Sequence, residues 1–338
     1  MKLLNYEVMS RVRGCDLKLG AGSVANESTN SRFQLLLKNI WKNRMVYTLI
    51  LPGLVWLFLF AYMPMGGLSL AFKDFKANLG IWGSPWVGFE NFSYVFRDPA
   101  FLNAVWRTLI INIGKLIIQF PFPIILALMI NELRMRSYKK ALQTVFTFPQ
   151  FLSWIVVSGV VINVLSYDGL VNSFLHLIGL PTINFLGSES LFVPMLYITD
   201  IWKSAGWGAI IYMAAISGID MDQYESAQID GATRLQQILR ITLPNIMPTI
   251  MIMFILNVGG LMSAGFDQIF NLANAATQNV SEVLDVYIYR ITFQSSTDFS
   301  FSTAVSLFRS IVNMVLLILA DRAAKLMGGD GLFGKKGD

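Results

Sequence analysis

One cysteine, Cys15, and one histidine, His176, occur in 338 residues. These scarcities remove disulfide frameworks, Cys/His metal cages and histidine-centred triads from consideration. Charge is sparse too: 14% of residues are charged against 54% hydrophobic, and the mean hydropathy is +0.55. That apolar share exceeds the roughly 45–50% of a soluble domain and points to an integral membrane protein. Cys15 follows no apolar run, which argues against a lipoprotein cleavage signal, and residues 1–30 lack the apolar core of a signal peptide. That segment is expected to be a polar cytoplasmic tail.

What the sequence does have is long apolar stretches. A helix needs about 20 mostly apolar residues to cross the hydrocarbon core. Six stretches qualify, near 47–71, 104–130, 142–166, 191–217, 242–265 and 301–321. Basic residues orient them, because positive loops stay cytoplasmic. Lys38, Lys42 and Arg44 precede the first span, Arg134, Arg136, Lys139 and Lys140 follow the second, Arg234 and Arg240 precede the fifth, and Arg322 and Lys325 follow the sixth. The alternate loops hold only Lys73, Lys76, Arg97 and Arg290. The expectation is an all-α integral membrane protein with six transmembrane helices and both termini cytoplasmic. The net charge of +5 is then a topology signal and not a nucleic-acid footprint. Residues 31–46, with Phe33, Leu36, Leu37, Ile40 and Trp41 at helical spacing, read as an interfacial helix or as a cytoplasmic extension of the span over 47–71.

The loop before the fifth span is the most informative segment. Asp220 with Gln223 resembles a capping box, so a helix is expected from Met221 to Asp230-Gly231, where glycine takes angles other residues avoid. Thr233 with Gln236 starts a second helix, whose Leu235, Ile238, Leu239 and Thr242 share one face. Pro244, lacking a backbone donor, is expected at the start of the fifth span.

Within this loop Glu225-Ser226-Ala227, three residues, Gly231, nine residues and Ile241-Thr242-Leu243-Pro244 resemble the E-A-A, three, G, nine, I-x-L-P signature of permease subunits in bacterial binding-protein-dependent ABC importers. Ser226 in place of alanine is the one departure. The stretches "VGFENFSYVFRDPAFLNAVWRT" (87–108), "FPQFLSWIVVSGVV" (148–161), "GGLMSAGFDQIFNL" (259–272), "EVLDVYIYRITF" (282–293) and "FSFSTAVSLFRSIVNMVLLILADRAAK" (299–325) are similar to LplB-type members of the MalF-like carbohydrate branch. The resemblance spans roughly 45–325. It implies a MetI-like permease core over 104–321 with five transmembrane helices, coupling helices within 220–243, and a cytoplasmic tail over 322–338. It also implies uptake of oligosaccharides or polysaccharide fragments. The implied partners are a second homologous permease, two cytoplasmic ATPase subunits that use ATP and magnesium, an extracellular solute-binding lipoprotein, and the membrane lipid. No cofactor is expected on this chain. Glu225, Ser226, Ala227, Gly231, Ile241, Leu243 and Pro244 are the implied ATPase-coupling residues.

Sugars bind through aromatic rings and polar side chains. Trp202, Trp207 and Tyr212 on the fourth span, with Phe266 and Asp267 near the end of the fifth, are the candidate substrate-pathway residues; the competing reading for the aromatics is an interfacial belt. Asp200 and Lys203, three apart on a helix, are expected to pair, and Arg107, Lys115 and Arg309 to snorkel or pair. His176 reads as an ordinary loop residue. The loop over 167–190 either meets a binding protein or covers the pore. "GDGLFGK" (329–335) imitates a phosphate-binding loop, but lysine at 336 stands where a Ser/Thr is needed, so ATP hydrolysis belongs to another polypeptide. A secondary transporter would call for inverted repeats and a membrane enzyme for a nucleophile and base; neither is evident. Another importer solute, such as a peptide or amino acid, stays open.

Overall fold

The computed structural model describes residues 41–295, 298–326 and 331–332. The expected tail over 1–30, residues 31–40 of the expected interfacial helix and most of "GDGLFGK" lie outside the described residues. The chain divides into two compact units, Met1–Gly66 and Gly67–Asp338. Among the described residues the structure is helical, with one isolated antiparallel bridge, Lys73 to Trp86.

In the first unit, α1 (Arg44–Leu57) leads into a π-turn, Phe58–Tyr62. No residue of α1 is buried, and Leu49, Leu54 and Trp56 are openly exposed, the pattern of a helix facing lipid.

In the second unit α2 (Glu90–Arg97) precedes α3 (Pro99–Gly114), which Asp98 caps by accepting the Ala100 N–H at 2.9 Å. A π-turn, Lys115–Gln119, joins α3 to α4 (Pro121–Asn131). The expected third span over 142–166 is instead two helices. The first, α5 (Arg136–Thr147), tightens into a 3-10 turn at Phe148–Phe151. The second, α6 (Trp154–Leu165), starts afresh at Ser153, whose hydroxyl accepts the Val156 N–H. Pro149, which lacks a backbone donor, lies in the 3-10 turn just before the break, and Leu152 and Ser153 are extended. The loop over 167–190 contains a short helix, α7 (Leu170–Leu177), and leads to the 29-residue α8 (Glu189–Ser217).

Next come α9 (Met221–Ile229) and α10 (Arg234–Gln237), which passes through a π-turn, Ile238–Thr242, into α11 (Leu243–Gly259). Pro244 is the second residue of α11, as expected, although the helical stretch Arg234–Gly259 runs into it without a break. The chain unwinds over 260–265, then forms α12 (Phe266–Leu272), α13 (Leu284–Arg290) and α14 (Phe299–Leu326).

Among the described residues five helical stretches are long and apolar enough to cross a membrane: Arg44–Phe72, Pro99–Asn131, Trp154–Leu177, Arg234–Gly259 and Phe299–Leu326. The expected fourth span, α8, is not among them by composition. At about 1.5 Å per residue its length still suffices to cross, and Asp200 and Lys203 occupy its middle. In the second unit α8 packs against α4 and α5, α11 against α14, and α12 against α6. Three buried clusters result. One joins α3, α13 and α14 through Phe101, Tyr287 and Val305; another joins α8 and α12 through Phe192, Leu196 and Ile269; the last joins α4, α8 and α11 through Ala127, Tyr212 and Ile246.

Small residues set how closely these helices approach. A Cβ added at Gly206 of α8 would fall on the backbone carbonyl of Phe146 in α5, whereas one at Gly159 of α6 would meet nothing within 4 Å. Gly206→Ala is therefore expected to destabilise the solubilised protein by about 1–3 kcal/mol, the usual range for overpacking. Gly159→Ala should be neutral or slightly stabilising. Thermal unfolding followed by size-exclusion profile tests the contrast; equal midpoints would refute the close α5–α8 contact.

Candidate functional site

The unwound segment over 260–265 exposes backbone groups that no helix satisfies, and four side chains from three other places supply the missing partners. Asn112 Nδ2 donates to the Leu261 carbonyl at 2.7 Å, and Asn313 Oδ1 accepts the Met262 N–H at 2.9 Å. Asp285 Oδ2 accepts the Ala264 N–H at 3.0 Å, and Lys115 Nζ donates to the Ala264 carbonyl at 3.2 Å. Non-helical backbone at membrane depth survives only with such partners. Gly265 then turns the chain with φ of +84°, and α12 begins.

This segment walls a cavity of about 610 Å³. The π-turn after α3 places both its first and last residues, Lys115 and Gln119, on the lining; α8 contributes Asp200, Ser204, Trp207 and Tyr212, and α11 contributes Asn257. Lys115 is the hub of the polar groups. Its ammonium lies 2.9 Å from Asp200 Oδ2 and donates to Gln268 Oε1 at 3.0 Å. Gln268 in turn donates to the Leu196 carbonyl at 2.7 Å and to Thr199 Oγ1 at 3.0 Å. Gln119 Nε2 donates to Ser204 Oγ at 3.2 Å, while its Oε1 is buried with no partner.

The expected Asp200–Lys203 pair is thus replaced by Asp200–Lys115. Lys203 sits three residues on but donates instead to the Gln150 carbonyl at 2.9 Å, with its ammonium 5.4 Å from the Trp154 ring centroid. A helix allows the i,i+3 approach, but the two side chains reach separate neighbours on α3 and at the α5–α6 break. Arg309 pairs with Asp285. Of the candidate pathway residues, Trp207 and Tyr212 line the cavity, whereas Trp202 is 53% exposed and does not. Phe266 and Asp267 follow Gly265 directly but are not on the lining, and Phe266 stacks on Phe270 with centroids 4.9 Å apart. Reasoning from sequence passed over Asn112, Gln119, Ser204 and Asn257. The available signal was their polarity within apolar stretches, where side chains of this type face a bundle interior or a water-filled space.

A second feature lies at the other end of α11. The helix α9 ends at Asp230-Gly231 in a Schellman motif: Gly231, at φ of +75°, donates to the Gln228 carbonyl, and Ala232 donates to that of Ala227 at 2.9 Å. Thr233 and Gln236 form the expected capping box. At the other expected cap, Asp220 Oδ1 accepts the Asp222 N–H instead. The resulting hairpin is pinned to the start of α11, because Tyr224 and Thr242 hydroxyls lie 2.8 Å apart and Asn245 Nδ2 donates to Gln223 Oε1 at 3.0 Å. Leu243 packs into the cluster of Ala127, Tyr212 and Ile246. Glu225, Ser226 and Gly231 face solvent, Ala227 and Ile241 are half-buried, and Pro244 is exposed. Around them Met221, Ile229 at 87% and Leu235 at 65% form exposed apolar surface of the kind that marks protein contacts.

Comparison with known proteins places these features in context. The family model described as the binding-protein-dependent transport system inner membrane component matches residues 119–328. The polygalacturonan/rhamnogalacturonan transport system permease protein YteP of Bacillus subtilis (strain 168) is 41% identical over 303 residues, covering 89% of this chain and 94% of that protein. Protein LplB of the same organism is 37% identical over 293 residues, covering 86% and 92%. Among solved structures, one chain of a bacterial ABC transporter involved in the import of the acidic polysaccharide alginate superimposes with a TM-score of 0.80 at 38% identity, covering 86% of this chain and 99% of that one.

The Lys115–Asp200 pair yields a direct prediction. Asp200→Asn strands the Lys115 charge and is expected to cost about 3 kcal/mol, the lower end of the range for breaking a buried pair because the cavity admits water. Lys115→Met combined with Asp200→Asn removes the stranded charge but also leaves the Ala264 carbonyl and Gln268 Oε1 without their donor, so it should recover only part of that loss. A double-mutant cycle on thermal stability checks it, and additive losses would show that the pair is not coupled.

Proposed function

Because this chain belongs to the family of binding-protein-dependent transport system inner membrane components, we propose that it is the permease through which an ATP-driven importer moves an oligosaccharide or polysaccharide fragment into the cell, with uronic-acid chains as the favoured class. As a member of that family it is a transport subunit, and it is a multi-pass protein of the cell membrane. The observation that carries the substrate reading is the cavity. Trp207 and Tyr212 offer ring faces for the apolar faces of a sugar, while Asn112, Ser204 and Asn257 offer groups for hydroxyls. The buried Gln119 Oε1, which has no partner, suits a sugar hydroxyl donor. Relatives named for polygalacturonan/rhamnogalacturonan and for alginate transport favour acidic glycans; Lys115 on the cavity wall is already neutralised by Asp200 and adds no free cation for a uronate carboxylate.

The remaining parts follow from the hairpin. Its exposed apolar surface of Met221, Ile229 and Leu235 seats in a groove of a cytoplasmic ATPase, while Glu225, Ser226, Ala227, Gly231, Ile241, Leu243 and Pro244, in the family spacing, shape the hairpin and couple it to the span. The chain itself binds no cofactor; two ATPase subunits use ATP and magnesium. That assignment puts the hairpin and both termini inside the cell and α12 on the outer side. A second homologous permease completes the pathway, and an extracellular solute-binding lipoprotein delivers the glycan. Closure of the ATPase dimer pushes the hairpin, and the Tyr224–Thr242 and Gln223–Asn245 contacts transmit the push to α11 and the cavity wall.

The test is reconstitution with the partner subunits, reading ATP hydrolysis stimulated by glycan-loaded binding protein. Gly231→Pro requires φ near −65° where the backbone holds +75°. It is expected to leave assembly intact and abolish most of the stimulation. Trp207→Ala should lower transport while leaving basal hydrolysis unchanged. Robust uptake by this chain alone, without ATP and indifferent to Gly231→Pro, would overturn the reading in favour of a secondary transporter.

A further inference from the structure

The central cavity does not account for a row of four aromatic rings beside it. Phe266 and Phe270 lie on one face of α12, nearly parallel at 21° with centroids 4.9 Å apart. Tyr289 of α13 approaches them at 5.2 and 4.9 Å, and Phe293 approaches Tyr289 at 5.4 Å. The opposite face of α12, with Gln268, Ile269 and Leu272, is buried. The ring face is not core, because Phe270 is 39% and Phe293 66% exposed. Nor does it have the surroundings of a lipid-facing belt. Phe270 and Tyr289 line a groove of about 350 Å³ whose other walls include Gln278, Glu282, Arg290 and Gln294. Rings set among amides and charges make a surface for a ligand that is apolar on its faces and polar at its edges, which describes a pyranose ring.

The row begins where the cavity wall ends along the chain. Gly265 is in the cavity wall and Phe266 is the next residue. Lys115 holds both the Ala264 carbonyl and the Gln268 side chain, so α12 is fixed to that wall. The helical stretch Arg234–Gly259 is 26 residues, about 39 Å long, which sets α12 at the end remote from the hairpin. A cavity of about 610 Å³ is a small-molecule volume and holds a few sugar units, not a long chain.

We propose that the groove at Phe270 and Tyr289 is a second glycan subsite at the outer mouth, and that the rings from Phe293 to Phe266 form a track along which a chain longer than the cavity is held while its leading units enter. The proposal rests on the glycan reading above. Gln278 and Gln294 form no side-chain hydrogen bond within the protein among the described residues, and their amides serve the sugar hydroxyls. The Glu282–Arg290 ion pair braces the groove wall.

The distinguishing property is dependence on chain length. The assembled importer in proteoliposomes, with saturating loaded binding protein, is assayed with a galacturonan disaccharide and hexasaccharide. In Phe270→Ala/Tyr289→Ala, hexasaccharide turnover is expected to fall about fivefold or more, the loss of two stacking contacts. Disaccharide turnover should stay within about twofold. Tyr289→Phe, which keeps the ring, should transport both like the wild type. Equal losses for both lengths, or none, would overturn the track. Failure of the double variant to assemble would identify the groove as a contact with the second permease, which also overturns it. Phe270→Cys in a Cys15→Ser background supplies an independent reading: hexasaccharide, but not disaccharide, should slow thiol labelling, and unprotected labelling counts against the subsite. A wild-type importer that transports neither length defeats the glycan reading and this inference together, whereas normal wild-type transport with unresponsive variants defeats this inference alone.

Discussion

Every backbone N–H and C=O within a hydrocarbon layer has to find a partner inside the protein, and that requirement organises this structure. Helices meet it internally. The stretch over 260–265 does not, and Asn112, Lys115, Asp285 and Asn313, from distant points of the sequence, converge to satisfy it. These side chains are polar for a local structural reason, and two of them, Asn112 and Lys115, also form part of the polar wall of the cavity. Lys115 shows the overlap: one ammonium satisfies the Ala264 carbonyl, pairs with Asp200 and orients Gln268. Structural necessity and candidate binding chemistry therefore share the same atoms.

The same requirement explains three of the four places where the helices widen among the described residues; the fourth, Ile291–Ser295, precedes no proline. Proline removes a donor, and its ring clashes with the carbonyl four residues earlier. Three π-turns end two residues before a proline: Phe58–Tyr62 before Pro64, Lys115–Gln119 before Pro121, and Ile238–Thr242 before Pro244. In each case the residue just before the proline donates one position further back than in an α-helix, as Phe120 does to the Lys115 carbonyl at 3.2 Å. The wide turn moves the obstructing carbonyl aside, so the helix continues through the proline instead of starting at it. Such a turn is not obligatory, since Pro52, Pro194 and Pro248 lie inside helices without one, whereas at Pro149 the stretch breaks into α5 and α6.

This contrast marks what was legible in the sequence. Hydropathy located the apolar stretches, and local chemistry located the hairpin, because Gly231 and the Thr233–Gln236 box act within a few residues of themselves. Whether a proline is absorbed or breaks a helix depends on what packs beside it, and the 142–166 stretch was accordingly misread as one span. Asp200 illustrates the same limit. Lys203 was its neighbour in sequence, but Lys115 is 85 positions away and becomes its neighbour only when α3 and α8 pack. Trp202 and Trp207 were indistinguishable as tryptophans on one helix, and only the fold turns Trp207 to the cavity and Trp202 away from it.

The family spacing of the hairpin acquires a mechanical meaning from the continuity of Arg234–Gly259. A hairpin joined to the membrane domain by a flexible linker would move without consequence. Here the second arm and the span are one helical body, and the first arm is fastened to it at Tyr224–Thr242 and Gln223–Asn245. Leu243 anchors that body in the cluster with Tyr212, which itself lines the cavity. At its far end the body terminates in the segment held by Lys115, Asp285 and Asn313. Close-packed interiors do not deform gradually but switch between discrete packings. Under the proposed importer reading, a displacement of the hairpin therefore reaches Met253, Leu256 and Asn257 on the cavity wall as a shift of a rod, and the polar clasp at 260–265 is the element that must either move with it or let go.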